Sequence, residues 1–273
     1  MVNEGSYDLH THTDYSDGNL NPEQLIQKAA AIGLAGLAIT DHDTIEALPE
    51  AARAADRHGI DLVHGVEIST SRDEKDVHIL AYFQRHPGRE LSELLQHMAR
   101  EREKRFERMI ERLAEVGIRL NKDEVRRRAG KGTVGRPHVA QAIVESGYAK
   151  DLQAAFQKYL VRGKPAYVPR EKVAPEEVVR IIRQAHAVPV LAHPGLIGDD
   201  SIIGRLVASG LVGIEVRHTE HTAGQIEHYR QIAEANGLIQ TAGSDYHGRK
   251  GRAHLGKHRV GREVIDQIRA CFS

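Results

Sequence analysis

Short runs of apolar and β-branched residues alternate along the chain with stretches of helical periodicity. Seven runs predict strands, at residues 6–9, 36–40, 61–68, 77–83, 188–192, 212–216 and 238–242. Stretches that begin at Pro22 and that span residues 45–58, 175–186, 201–209, 223–236 and 262–271 predict helices. This alternation is typical of βα units around a parallel sheet, and 273 residues suffice for one α/β barrel.

The alternation stops between residues 84 and 170, where the periodicity is helical throughout. The stretch "ELLQHMAREREKRFERMIERLAEVG" predicts one long helix, and shorter helices are expected near residues 122–129, 136–146 and 152–160. We therefore predict a barrel formed by residues 1–83 and 171–273 that carries a helical insertion over residues 84–170.

Charge is distributed unevenly, although the whole chain sums to zero. The insertion holds 20 Lys and Arg against 11 Asp and Glu, a net charge of +9, so the barrel carries −9. The net charge therefore indicates no global bias toward nucleic acid or anionic membranes, and any such bias must be local. The basic excess is either an ordinary solvated helix face or a means of attracting an anionic substrate.

Cysteine content and the lack of long apolar runs point to a reducing compartment. The single cysteine, Cys271, rules out an intramolecular disulfide framework. The chain shows no leader-like start and no run of about 18 apolar residues. We expect a cytoplasmic protein without a membrane association, and no obligate protein partner is evident.

Residues with metal-binding side chains fall at the predicted strand ends, where barrel enzymes place their function. They are His10 and His12, Asp41 and His42, Glu67, His78, His193, Glu215 and His218, and Asp245 and His247. Any one of them alone could cap a helix or satisfy a loop. Together they would be costly to bury without cations, and their number suits two or three ions of Mn²⁺, Zn²⁺ or Fe²⁺ rather than Ca²⁺.

Five motifs in order resemble the polymerase and histidinol phosphatase (PHP) family. They are "DLHTHTDYSDG", "GLAITDHDT", "GVEIS" followed by His78, "LAHPG" and "AGSDYHG", spread over residues 8–248. The resemblance implies a distorted seven-stranded TIM-like (β/α)7 barrel with a metal cluster, often trinuclear, at the carboxyl ends of the strands.

The resemblance also implies how the ligands are shared among the metals. One metal is expected on His10, His12, Glu67 and Asp245, a second on Glu67, His78 and His193, and a third on Asp17, His42 and His247. Asp41, next to His42, and Glu215 are expected to support ligands rather than to bind metal. Manganese is the expected ion, with zinc and iron as alternatives.

Within the insertion, "GRPHVAQAIVESGY" and "YLVRGKPAYVP" resemble the family branch of 3′,5′-nucleoside bisphosphate phosphatases and short-RNA 5′-to-3′ exonucleases. We expect Arg136, His138, Arg217 and Lys164 to bind substrate phosphate, and His218 or His138 to act as a catalytic acid. The segment "EVRHTEH" departs from the family pattern, because an aromatic residue is expected at the position of Arg217.

These observations favour hydrolysis of a phosphate monoester by metal-activated water. The expected substrate is the 3′-phosphate of a nucleoside 3′,5′-bisphosphate. The alternatives are a 5′-to-3′ exoribonuclease on short RNA, a histidinol phosphate phosphatase, and a metal-stabilised binding module without turnover. The small number of aromatic residues, with no tryptophan, favours a small substrate over an extended strand.

Overall fold

The computed structural model describes residues 5–73, 75–128, 134–169, 173–249 and 253–272. Each of the seven predicted strands is present: β1 Tyr7–Asp8, β2 Gly36–Ile39, β3 Asp61–Arg72, β4 Lys75–Phe83, β5 Val188–Leu191, β6 Gly213–Arg217 and β7 Ile239–Ala242. They form one sheet in chain order. The backbone N–H of Leu9 donates to the carbonyl of Ala242 (3.2 Å), and Thr11 bridges to Tyr246, so the sheet nearly closes into the predicted barrel.

Strand β4 runs against its neighbours. It pairs antiparallel with both β3 and β5, so the prediction of an all-parallel sheet is wrong at this strand. Strands β3 and β4 form a hairpin in which Arg72 lies opposite Lys75, which leaves no space for a helix between them. Because β4 is reversed, its first residues lie at the rim where the parallel strands end. His78, near the start of β4, therefore lies on that rim.

Helices cover the barrel and build the insertion. They are α1 Pro22–Ala31, α2 Leu48–His58, α3 Gly88–Glu115, α4 Lys122–Arg128, α5 Arg136–Glu145, α6 Leu152–Ala155, α7 Pro175–Gln184, α8 Ser201–Ala208, α9 Ala223–Asn236 and α10 Arg262–Ala270. A π-helix, Phe156–Leu160, follows α6. Capping boxes start α1, at Asn21 and Gln24, and α9, at Thr222 and Gln225. No helix in the described ranges combines the length and apolarity needed to span a membrane.

Among the described residues, buried apolar side chains form three clusters. One fills the inside of the barrel and includes Leu80 and Tyr82 of β4 and Ile265 of α10. The second lies between the outside of the barrel and its covering helices. The third belongs to the insertion, where Phe106 packs with residues of α4 to α6 and the π-helix. The insertion thus has its own core.

Helix α3 joins two of these cores. Leu91, Leu94 and Met98 in its first half pack with the outer layer of the barrel, and Met109 and Leu113 in its second half pack in the insertion. The insertion therefore stands on a helix that is anchored in the barrel. Of the two predicted boundaries of the insertion, the one at residues 170 and 171 lies outside the described residues, and the one at residue 84 stays a prediction.

Candidate functional site

Glu67, inside β3, is the carboxylate on which the histidines of the barrel rim converge. Its Oε1 lies 2.8 Å from Nδ1 of His78 and 2.9 Å from Nε2 of His193. Its Oε2 lies 2.8 Å from Nδ1 of His42 and 3.4 Å from Nε2 of His12. The structure therefore brings predicted residues from four other parts of the rim to one buried side chain.

Asp245, in the loop after β7, forms a second centre of contacts. Its Oδ1 lies 3.1 Å from Nε2 of His12 and 3.5 Å from Nε2 of His10, and its Oδ2 lies 3.4 Å from Nε2 of His218. The backbone at Asp245 is left-handed, with φ +53°. Such a conformation is uncommon outside glycine and is concentrated at functional sites.

The loop after β1 supplies a third carboxylate, Asp17. Its Oδ1 lies 3.0 Å from Nε2 of His247 and 3.9 Å from Nε2 of His42. Its Oδ2 accepts a hydrogen bond from Nη2 of Arg249 (3.2 Å), which also donates to the backbone oxygen of Asp17 (3.0 Å). The sequence pattern gave no prediction for Arg249, although it closely follows the "SDYH" motif.

The donor atoms of these side chains lie close enough to share ions. In four combinations, one ligand atom from each residue lies within 4.8 Å of all the others. Within the described part of the chain, these combinations are His12, Asp17, His42 and His247; His10, His12 and Glu67; His10, His218 and Asp245; and His42, Glu67 and His78. We refer to these residues together with His193 as the rim cluster.

Several buried polar atoms of the rim cluster have no hydrogen-bond partner among the described residues. They are Nε2 of His10, both ring nitrogens of His12, Oδ1 of Asp17, Nδ1 of His42, Oε2 of Glu67, Nδ1 of His193 and Nε2 of His218. Each such atom costs about 1–3 kcal/mol when it is buried unpaired. Imidazole nitrogens with carboxylate oxygens are the donor set of Zn²⁺, Mn²⁺ and Fe²⁺, so the residues fit divalent cations.

The pKa values of Glu67, Asp245 and His12 also suit metal binding. Burial works to raise the pKa values of Glu67 and Asp245, but the neighbouring imidazoles outweigh it and hold both well below the usual range. Burial, with the charge of His247, lowers the pKa of His12 to about 4. The carboxylates are therefore ionised and His12 is neutral at neutral pH, and these are the protonation states that bind a metal. Neighbouring carboxylates, against the effect of burial, raise the pKa of His10 and raise that of His247 to about 9, so a metal ion would displace a proton from each of these rings.

Hydrogen bonds to Nδ1 determine which nitrogen His10 and His247 present to the cluster. Nδ1 of His10 donates to Oε1 of Glu215 (3.1 Å), and Nδ1 of His247 donates to the backbone oxygen of Asp245 (2.9 Å). Because carboxylate and carbonyl oxygens only accept, the neutral rings carry their proton on Nδ1 and direct the Nε2 lone pair to the cluster. Glu215 also accepts the backbone N–H of His193 (2.8 Å).

His218 and His138 have the opposite arrangement. Nδ1 of His218 accepts the backbone N–H of Glu220 (3.1 Å), and Nδ1 of His138 accepts that of Gly135 (3.0 Å). In the neutral rings the proton is therefore on Nε2, so both side chains offer an N–H instead of a lone pair. Burial lowers the pKa of His138 and favours this neutral form. Nε2 of His218 lies 3.4 Å from Oδ2 of Asp245, and in this tautomer it directs an N–H, not a lone pair, to the cluster.

A buried carboxylate without a predicted role, Asp8, ties the two ends of the sheet together. It accepts hydrogen bonds from the backbone N–H and the hydroxyl of Ser244, and from the backbone N–H groups of His10 and Gly256. Burial raises its pKa to about 6. At the same junction, a side chain on Gly243 would place its Cβ 2.2 Å from the Cβ of His10, so only glycine allows this close approach.

Asp41 orders the loop that leads to Asp17. It accepts hydrogen bonds from the backbone N–H and hydroxyl of Thr13 (2.7 and 2.6 Å) and from the hydroxyl of Ser16 (2.6 Å). Asp41 was expected to support its neighbour His42. Its side chain is instead directed to the loop after β1, because the hydroxyl and amide donors there satisfy both of its oxygens.

A cavity of about 160 Å³ opens between the rim cluster and the insertion. Its lining includes His42 on the rim and Arg102, Arg136 and His138 on the insertion side. Arg136 is the first residue of α5, and its guanidinium lies 3.7 Å from the exposed carboxylate of Asp76. The planar guanidinium of Arg136 can donate two parallel hydrogen bonds to phosphate oxygens, and it lies beside a cluster of metal-binding side chains.

The comparison with protein-family models agrees with this geometry. The model of the PHP domain matches residues 8–173, more than half of the chain. The chain belongs to the PHP family. The resemblance inferred from the five motifs is thereby confirmed.

Several characterised proteins are similar to this PHP chain over most of its length. It is 37% identical over 246 residues to a 3′,5′-nucleoside bisphosphate phosphatase from Chromobacterium violaceum, which covers 88% of this chain and 86% of that protein. It is 35% identical over 250 residues to the 5′-3′ exoribonuclease Rnm from Escherichia coli, covering 88% and 85%. A solved Bifidobacterium adolescentis structure described as a metal-dependent phosphoesterase superimposes with a TM-score of 0.89 at 31% identity, covering 97% and 96%. The chain is therefore a metal-dependent phosphoesterase of the PHP family.

A second cavity of about 190 Å³ lies on the other side of the rim cluster. His218 and Arg249 are among its lining residues. The predicted phosphate contacts Arg217 and Lys164 line neither of the two cavities as the described residues define them. Nη2 of Arg217 donates to the carbonyl of Arg259 (2.7 Å), and Lys164 is exposed after the π-helix. The structure does not bring these two side chains to the site.

Arg102 connects the insertion to the PHP barrel. Its Nε donates to Oδ2 of Asp43 (2.7 Å), and its Nη2 donates to the same carboxylate and to the hydroxyl of Ser69 (3.1 Å). Asp43 is buried, has a left-handed backbone (φ +55°) and accepts the backbone N–H of Ser69. Among the many arginines of α3, the sequence pattern gives no signal that distinguishes Arg102.

Proposed function

We propose that the protein removes the 3′-phosphate from nucleoside 3′,5′-bisphosphates with a metal-activated water. The observation that carries this proposal is the cavity in which Arg136 and His138 face a phosphate-sized space beside His42 of the rim cluster. The 37% identity to a protein named 3′,5′-nucleoside bisphosphate phosphatase supports the substrate class.

We assign nine residues of the rim cluster as metal ligands, for two or three divalent ions. They are His10, His12, Asp17, His42, Glu67, His78, His193, Asp245 and His247. Manganese is the ion we expect, with zinc and iron as alternatives. Bound ions would supply the Lewis acidity that acidifies an attacking water and offsets the charge of the phosphoryl oxygens.

The protein's own side chains divide the remaining work. Arg136 binds two phosphoryl oxygens through its planar fork, and Nε2–H of His138 donates to a third oxygen. Nε2–H of His218, on the opposite side of the cluster, donates a hydrogen bond to the leaving oxygen, because its Nδ1 already accepts the backbone N–H of Glu220. Glu215 holds His10 and His193 in place from outside the cluster.

Exonucleolytic cleavage of short RNA is the second candidate. The 35% identity to Rnm and a wide groove that leaves the cluster favour it. It would use the same ligands and the same donors on a phosphodiester. Histidinol phosphate hydrolysis rests on the family alone, and a module without turnover is not supported by the enzymes to which the chain is similar.

The test measures turnover of three substrates by the Mn²⁺-loaded protein: inorganic phosphate released from adenosine 3′,5′-bisphosphate and from histidinol phosphate, and mononucleotides or phosphate released from a 5′-phosphorylated RNA pentamer. We expect the highest kcat/KM for the bisphosphate. A higher kcat/KM for the pentamer, with mononucleotide products, would replace the proposal by the exonuclease. If protein that demonstrably contains metal turns over none of the three substrates, the proposed function is wrong.

A further inference from the structure

A groove of about 1080 Å³ runs from the rim cluster along the insertion. Asp17, His138 and Arg249 form its inner end, and α5, α6 and the π-helix form its wall. It is several times larger than the cavities of about 160 and 190 Å³ that adjoin the cluster. The groove is therefore continuous with the reaction centre and has space for much more than a phosphate group.

The lining of the groove differs in chemistry from that of the phosphate cavity. It contains the amide side chains of Gln141, Gln153 and Gln157, and that of Asn19 from the loop after β1. An amide is uncharged and offers both a donor and an acceptor. The edges of nucleobases also present donors and acceptors without net charge. The groove thus suits the uncharged part of a nucleotide, whereas the cavity with Arg136 suits its phosphate.

One aromatic ring, that of Phe156, lies in the groove lining. Phe156 is half-buried and opens the π-helix, in which its carbonyl accepts the backbone N–H of Val161 (3.0 Å). π-helical segments are rare in proteins, and those that occur often lie at functional sites. A ring presented beside amides is a platform on which a base can stack.

We propose that this groove binds the nucleoside portion of the substrate. The base stacks on Phe156 and its edge meets the amides of Gln153 and Gln157, while the scissile phosphate reaches the rim cluster past His138. This inference rests on the proposed function for the identity of the substrate. It adds which residues distinguish a nucleotide from other phosphate monoesters.

The experiment compares Phe156→Leu and the double variant Gln153→Ala/Gln157→Ala with the parent protein. The matched control is Gln231→Ala, an exposed glutamine on α9. Two substrates are used with Mn²⁺: adenosine 3′,5′-bisphosphate, and glycerol 2-phosphate, which has neither base nor ribose. We expect the ratio of kcat/KM for the bisphosphate to that for glycerol 2-phosphate to fall about tenfold in both groove variants, mainly through KM, and to stay constant in the control.

Calorimetric titration of the metal-free protein with adenosine 3′,5′-bisphosphate gives a readout that does not depend on turnover. We expect Kd to rise about tenfold in the groove variants. An unchanged ratio or an unchanged Kd in folded variants would overturn the groove proposal. If the parent protein binds the bisphosphate through the groove but does not hydrolyse it, the proposed function fails while the groove assignment stands.

Discussion

The rim cluster and the phosphate cavity of the insertion satisfy their charges in different ways. On the rim, carboxylate oxygens lie 2.8 Å from histidine nitrogens, and the side chain of Glu67 is 1% exposed. Across the cavity, the guanidinium of Arg136 is half-buried and lies 3.7 Å from Asp76, whose carboxylate is exposed. The rim holds acceptors that need a cation, and the insertion holds a cation that has only a weak ion pair.

The rim of the barrel and the insertion therefore have different roles in the site. The acidic barrel, with −9 charges, binds cations at its rim, and the basic insertion, with +9, is suited to bring an anion to them. Changes on the rim should therefore abolish the reaction. Changes in the insertion should alter which phosphate ester is used and how tightly it binds.

The largest effect is expected from Glu67→Gln. The substitution keeps the shape of the side chain but removes the charge to which His42, His78 and His193 converge. We expect activity to fall by at least about a thousandfold, together with a loss of bound metal measured by elemental analysis. Glu227→Gln, on the exposed face of α9, is the control. Full metal content with normal turnover in Glu67→Gln would refute the assignment of the cluster.

Substitutions of His218 test whether this side chain binds metal or donates a hydrogen bond on the rim. In His218→Asn, the side chain can still accept the backbone N–H of Glu220 but offers no donor at the position of Nε2. We expect kcat to fall about a hundredfold with unchanged metal content, and His218→Gln to recover part of the loss, because its amide N–H lies close to the position of Nε2. Loss of metal in His218→Asn would show that His218 is a ligand instead.

Arg136 tests the task of the insertion. Removing a charged hydrogen bond to phosphate costs about 1.5–3 kcal/mol, so we expect kcat/KM of Arg136→Gln to fall about 10- to 100-fold, mainly through KM. Arg217→Gln is the matched control, since that guanidinium donates to the carbonyl of Arg259. Steady-state kinetics on adenosine 3′,5′-bisphosphate measure both variants. Equal losses in the two would mean that the phosphate site extends to the end of β6.

Much of this site could be predicted from the sequence because strands and helices alternate regularly along the barrel. Strand ends recur at one rim, so His10, Glu67 and Asp245 could be assigned to it from their positions alone. His78 lies at the start of its strand, which would place it at the wrong end of a parallel barrel. It was nevertheless grouped with the strand-end residues and then matched to the family motifs, and the reversed direction of β4 explains why it lies on that rim.

The parts that could not be read from sequence depend on long-range contacts. Asp8 is more than 230 residues from its partner Ser244, and nothing local in the sequence indicates that its side chain is buried at that junction. Arg217 and Arg249 both follow rim motifs. The guanidinium of Arg217 donates to a backbone carbonyl, whereas that of Arg249 donates to Asp17. Only the folded chain decides which basic side chain reaches the site.

The ion pair between Arg102 and Asp43 connects the insertion to the barrel. Breaking it is expected to change activity least and to lower stability clearly. Arg102 of α3 donates to Asp43, which is buried in the loop after β2. In Arg102→Gln, this carboxylate loses its ion pair with Arg102, so we expect about 3 kcal/mol less stability in urea unfolding. Arg89→Gln, which breaks an exposed pair with Glu93 on the same helix, should cost less than about 0.5 kcal/mol. If Arg102→Gln were as stable as Arg89→Gln, the ion pair with Asp43 would contribute nothing measurable to holding the insertion on the barrel, and the packing of α3 would be the main connection.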